Sequence, residues 1–157
     1  MRKSVLGNVI VTFTLLFVAV GFANPALAGE PRKLINSGDD NVAIRGFDSV
    51  AYFTIGRPTQ GVREFTFHWR DANWQFANSK HLNMFADNPE RYAPKFGGFC
   101  AMAMTQGVLK VIDPQAWTVV DGKLYLNFSV SGRDKFREDL GENIAKSEAH
   151  WVELLKN

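Results

Sequence analysis

Hydrophobic and polar positions alternate with period two in two separate stretches of this chain, and a helical spacing follows each. In Glu64-Phe65-Thr66-Phe67-His68-Trp69 the residues Phe65, Phe67 and Trp69 share one face of a strand, with Thr66 and His68 on the other. Arg70-Asp71-Ala72-Asn73 reads as a turn and Trp74-Gln75-Phe76 as the returning strand. Ser79 is a suitable N-cap for a helix that carries Leu82, Phe85 and Ala86, and Asp87-Asn88-Pro89 stops it.

The second stretch centres on Val119-Val120-Asp121-Gly122-Lys123-Leu124, where Asp-Gly supplies the positive φ angles of a type I′ hairpin turn. Leu124, Leu126 and Phe128 then alternate with Tyr125 and Asn127. Ser129 or Ser131 can cap a helix bearing Phe136 and Leu140, which Gly141 ends. A last helix over Glu142 to Lys156 turns Ile144, Ala145, Trp151, Val152 and Leu155 inward. The pattern predicts a small single α+β domain of two β-hairpins, each followed by a helix, with the C-terminal helix packed on the sheet. The two units stand about fifty residues apart: Trp74-x-Phe76-x-x-Ser79 lines up with Leu124-x-Leu126-x-x-Ser129. Gly46-Phe47-Asp48-Ser49-Val50-Ala51 likewise resembles Gly98-Phe99-Cys100-Ala101-Met102-Ala103, so a duplication puts Asp48 and Cys100 in corresponding places.

The N-terminal region follows a different logic. Met1-Arg2-Lys3 is basic, Val9 to Phe22 is apolar, Asn24-Pro25 breaks the run, and Ala26-Leu27-Ala28 offers small residues for cleavage. Residues 1–28 therefore read as a cleaved signal peptide, cut between Ala28 and Gly29. The apolar run is short for a bilayer span, so no stable membrane anchor is expected after cleavage. Export is implied, with the periplasm as destination. Residues 29–41 are polar and read as a flexible leader, and residues 42–157 as the domain.

Charge then changes meaning. Of 18 Lys and Arg, Arg2 and Lys3 belong to the signal, which leaves 16 against 16 Asp and Glu. A neutral remainder argues against a nucleic-acid partner, which needs a basic face. The single cysteine excludes an internal disulfide and a Cys-only zinc site. No phosphate-binding Gly-x-x-x-x-Gly-Lys-Ser/Thr loop, Gly-x-Gly-x-x-Gly, His-Glu-x-x-His or Gly-x-Ser-x-Gly is present, so no nucleotide or flavin is expected.

Several strings together resemble the YHS domain family. They are Gly46-x-Asp48-Ser49-Val50-Ala51-Tyr52-Phe53, His68-Trp69, Trp74-x-Phe76, Asn88-Pro89-Glu90-Arg91-Tyr92-Ala93-Pro94, Gly97-Gly98-Phe99-Cys100-Ala101 and Asp121-Gly122-Lys123-Leu124-Tyr125-Leu126-Asn127. The similarity is to the branch of small exported YHS domain proteins and runs from about Val42 to Trp151. It implies a small α+β domain and a role in metal binding. Some members of that branch carry selenocysteine at the position matching Cys100, which implies redox or soft-metal chemistry there. The paired cysteines of metal-site members are absent here, with Ala77 and Asn83 near their places.

Cys100 is the leading candidate for chemistry. It follows Gly97-Gly98, where backbone can turn tightly or approach a ligand. If a helix begins at Ala101, the thiol stands at its positive end. Met102 and Met104 extend a soft-ligand pattern, although a helix cannot point all three side chains one way. His68, opposite the aromatic face of its strand, is a candidate ligand or base. Asp48 either joins the site or caps the turn that follows it, and Tyr52 four residues on shares its face if that turn is helical. His81 is expected to be solvated, and His150 to cap or pack beside Trp151. Three readings follow: a copper- or zinc-class metal site formed by Cys100 with His68 or Asp48, a thiol-based redox centre at Cys100, or a non-catalytic interaction domain with an inert cysteine. The expected partner is a metal ion or a periplasmic redox or metal-handling protein.

Overall fold

Two hairpins set the frame, and both close by the same turn. Arg70 and Asp71 (φ 48° and 57°) and Asp121 and Gly122 (φ 50° and 69°) are left-handed at both central positions, the type I′ geometry. The first turn therefore forms without glycine. The structure is a computed structural model describing residues 34–156; the expected signal peptide and the first five residues of the expected leader lie outside the described residues.

Strands β1 (Val62–Trp69) and β2 (Ala72–Phe76) form one antiparallel pair, and β3 (Asp113–Val120) and β4 (Lys123–Asn127) another. The helices are α1 (Ala51–Thr54), α2 (Ser79–Asp87), α3 (Pro89–Tyr92), α4 (Ala101–Met104), α5 (Val130–Glu138) and α6 (Leu140–Lys156). The architecture is the α+β fold that the sequence pattern predicts.

The duplication is written in the backbone. Each strand of the second hairpin, and α5 against α2, begins 51 residues after its counterpart. Both hairpins share one register irregularity, between Val62 and Thr66 and between Asp113 and Trp117. Ahead of each, three consecutive left-handed residues make a sharp turn: Ile44, Arg45 and Gly46 (φ 42°, 60°, 76°), then Phe96, Gly97 and Gly98 (φ 57°, 61°, 80°). The amide of Asp48 donates to Thr59 O and that of Cys100 to Lys110 O, each at 2.9 Å. Asp48 and Cys100 do correspond. The register is one residue off the one read from sequence, however, because α2 is capped by Asn78 and not by Ser79. Asn78 Oδ1 accepts from His81 N at 2.9 Å, as Ser129 Oγ accepts from Gly132 N at 3.1 Å.

Two apolar clusters hold the halves. Trp74 stacks on Phe85 at 5.2 Å between ring centroids in the first. Their counterparts Tyr125 and Phe136 meet at 5.5 Å in the second. Leu124 and Leu126 point away from Tyr125 and join the first cluster, so β4 is buried on both faces. Helix α6 closes the second cluster with Ile144, Trp151 and Leu154, and Ser147 Oγ donates to Ala101 O at 3.0 Å.

Several local expectations change. Val152 and Leu155 are exposed, as is Ala145, because the inward stripe runs through Ile144, Ser147, Trp151 and Leu154. Gly141 does not end a helix; α5 stops at Glu138, and Asp139 Oδ1 accepts from Glu142 N at 3.1 Å at the start of α6. Phe128 lies one residue past β4 and is 47% exposed. The described part of the leader is docked, not loose. Ile35 is buried, and Asn36 donates from N to Gly97 O at 2.8 Å and from Nδ2 to Gly98 O at 2.9 Å.

Candidate functional site

The two corresponding positions solve one problem with different atoms. Each must terminate the turn before a short helix and tie it to the end of a hairpin. In the first half a carboxylate does both. Asp48 is fully buried, and its Oδ1 accepts from Val50 N at 2.9 Å and Ala51 N at 3.1 Å. Its Oδ2 accepts from Ala77 N at 2.9 Å and from His81 Nδ1 at 2.6 Å. The capping role expected of Asp48 is present. His81 is not solvated: it is 6% exposed, with Nε2 3.1 Å from Thr54 Oγ1. A buried carboxylate needs donors, and the imidazole supplies the fourth. Thr54 Oγ1 itself donates to Val50 O at 3.1 Å, so the Asp48–His81–Thr54 row ends on backbone.

In the second half a sulfur takes the carboxylate's place. Cys100 caps α4, with Sγ accepting from Ala103 N at 3.4 Å and from Phe128 N at 3.2 Å. Phe128 is the counterpart of Ala77, 51 residues on. The single sulfur cannot also serve Met102 N, which donates instead to Asn127 Oδ1 at 3.0 Å. Asn127 is fully buried, its Oδ1 is 3.9 Å from Cys100 Sγ, and its Nδ2 has no hydrogen-bond partner among the described residues.

One substitution between the halves alters access. The counterpart of His81 is Gly132, so no imidazole stands over Cys100. An open cleft of about 240 Å³ lies there, with Cys100, Met102, Phe128 and Gly132 along it and Lys110 and Lys135 at its sides. Lys110 Nζ stands 3.8 Å from the centre of the Phe128 ring. Cys100 is 3% exposed, at the inner edge of that cleft.

The other candidates stand elsewhere. His68 is exposed on β1, with Nδ1 3.1 Å from Asn73 Oδ1. Asp48 is enclosed by its four donors. Among the described residues no three His, Cys, Asp or Glu side chains gather as a metal-holding group, so Cys100, His68 and Asp48 are not brought together. Tyr52 is buried and donates to Pro114 O at 3.0 Å; burial, then the charges of Asp113 and Asp48, push its hydroxyl well above the usual phenol range. Met102 lines the cleft while Met104 is buried in the second cluster, the divergence that helical spacing predicts. Gly97 and Gly98 permit a close approach, but to Leu34 and Ile44. His150 is exposed and lies against Gly107.

Lys110, Asn127, Phe128, Gly132 and Lys135 escape a reading of local pattern. Only one signal points to them: aligning the caps Asn78 and Ser129 sets the 51-residue register and places Gly132 against His81. Among the described residues no helix is long and apolar enough to cross a membrane. Comparison with protein-family models, curated proteins and solved structures finds no match to this chain.

Proposed function

We propose that this chain is an exported YHS-like thiol module whose reactive atom is Cys100 Sγ. The observation that carries the reading is the missing imidazole: the same backbone that buries Asp48 beneath His81 opens a cleft over Cys100 at Gly132. Two N–H groups donate to the sulfur, and two lysines flank the cleft. That setting suits a sulfur that bears negative charge during reaction. In thiol exchange, Cys100 thiolate attacks one sulfur of a small disulfide, the S–S bond breaks, and the second sulfur leaves as thiolate.

A second reading keeps the soft metal. Met102 lies along the same cleft as Cys100, so a thiolate and a thioether are available to a copper(I)-class ion. Lys110 and Lys135 disfavour a cation there, and for that reason thiol chemistry ranks first.

The test uses purified protein, wild type beside Cys100→Ser. Alkylation by iodoacetamide across pH in the folded state, and metal content by mass spectrometry, are measured together. A folded thiol that alkylates within about tenfold of the denatured one supports the thiol reading. Metal retained by wild type and lost in Cys100→Ser moves the assignment to the metal reading. A thiol that reacts only after unfolding, with no metal in either protein, leaves a structural cap.

A further inference from the structure

The first hairpin carries a second concave surface that the thiol reading does not use. A cleft of about 660 Å³ opens over β1 and β2, reached by Arg45, Gln60, Arg63 and Gln75, with Gly46 on its wall. Gln60 Nε2 donates to Gly46 O at 3.0 Å and to Arg45 O at 3.4 Å, which fixes that amide at the wall, while the other three groups are poorly committed. The Arg45 guanidinium makes one long bond, Nη1 to Ile112 O at 3.4 Å, and no described group pairs with that of Arg63. The half-buried amide of Gln75 accepts and donates no hydrogen bond among the described residues. Among the described residues one carboxylate faces this surface, Asp40, whose Oδ1 accepts from Val42 N at 3.1 Å.

The duplicated half shows how the same backbone is dressed elsewhere. At the positions matching Gln60, Arg63 and Gln75 stand Val111, Pro114 and Leu126, the last of them buried in the first cluster, so the polar set belongs to the first half alone. At the position matching Arg45 stands Gly97, in the same left-handed conformation (φ 61° against 60°). A glycine would satisfy that backbone without strain, yet the first half places a guanidinium beside the cleft. Gly46 is equally constrained. A Cβ there would come within 2.8 Å of Gln75 Oε1 and 2.9 Å of Gln60 Nε2, so its absence keeps the two amides at the wall.

We propose that this cleft binds a small ligand bearing an oxyanion, read by the Arg45 and Arg63 guanidiniums with the Gln75 amide beside them. Guanidinium forks match carboxylate and phosphate oxygens alike. The oxyanion is the shared chemistry, and its source is decided by experiment. Isothermal titration of the purified protein with pyrophosphate and, separately, with citrate at constant ionic strength measures binding. Saturable binding of either anion is expected, weakened about tenfold or more by Arg63→Ala and by Arg45→Gly. Arg45→Gly keeps the fold, since Gly97 already shows that glycine takes this conformation, and a thermal melt verifies it. Pyrophosphate alone identifies a phosphoryl ligand, citrate alone a polycarboxylate, and both an oxyanion of either kind. Binding of neither anion, or binding unchanged in both variants, overturns the proposal.

Discussion

Replacing Asp48 by asparagine tests whether one carboxylate ties α1 to the end of the first hairpin. Asp48 accepts four hydrogen bonds, two at each oxygen. An asparagine whose oxygen keeps Val50 N and Ala51 N turns an NH₂ toward Ala77 N and His81. Ala77 N–H then loses its acceptor, a cost of about 1–3 kcal/mol for a buried donor. The bond to His81 persists only if Nδ1 carries no proton and accepts from the asparagine NH₂, and it changes from charge-assisted to neutral, a further loss of about 1 kcal/mol. The sum is about 3 kcal/mol out of the 5–15 kcal/mol typical of a domain. Urea unfolding followed by tryptophan fluorescence reads it directly, since the chain has four tryptophans. With an m-value of about 1–3 kcal/mol/M, the midpoint falls by about 1–3 M. Asn78→Ala, which removes only the α2 cap, provides the scale at about 1 kcal/mol. If Asp48→Asn costs no more than that control, the carboxylate does not organise these segments and the reasoning fails.

Gly97→Ala should destabilise more than Gly122→Ala in thermal unfolding. Both glycines are left-handed (φ 61° and 69°), but a Cβ at Gly97 overlaps the Leu34 carbonyl, while nothing lies within 4 Å at Gly122. Gly122→Ala carries only the conformational cost of about 1–2 kcal/mol, and equal losses would show that the Leu34–Asn36 strap is not held there. Stability should also fall above pH 10. Burial, then Glu148 and Asp121, push the Tyr125 hydroxyl up to about 12. The folded chain thus keeps a proton that the unfolded chain releases near pH 10. Between those values the folded state binds more protons, so this stability is complete below pH 10 and lost as pH rises toward 12. Denaturant titrations should show a shallower decline in Tyr125→Phe; an unchanged slope would rule out this linkage.

The hairpins were legible because their signals are local. Alternating apolar residues, Asp121-Gly122 and a helix stop at Asn88-Pro89 need no knowledge of the rest of the chain. The correspondence of Asp48 with Cys100 was visible too, because both follow Gly-Phe. What escaped depends on distant partners. Asp48 and His81 are 33 residues apart, and nothing near His81 announces a buried carboxylate. Asn78 and Ser79 are both competent caps, so local chemistry left the register one residue uncertain. Asn36 docks through bonds to the backbone of Gly97 and Gly98, which sequence does not display. On α6, Leu154 and Leu155 are alike in composition, and only packing against Phe96, Tyr125 and Phe136 selects the first.

The sharp left-handed turns ahead of the two hairpins also bear on how the chain can diverge. Main-chain bonds draw the same path twice: Phe47 N to Ile44 O, then Phe99 N to Phe96 O; Asp48 N to Thr59 O, then Cys100 N to Lys110 O. Such bonds are indifferent to side-chain identity, so the scaffold constrains few of the positions it presents. One copy is thereby free to keep an ionised, saturated knot, while the other trades that knot for a polarisable atom with open space above it. The molecule behaves as a divided pair, in which redundancy of the backbone permits specialisation of the side chains. Substitutions at two corresponding positions, 52 residues apart in the turns and 51 in the hairpins, become a matched experiment within one chain.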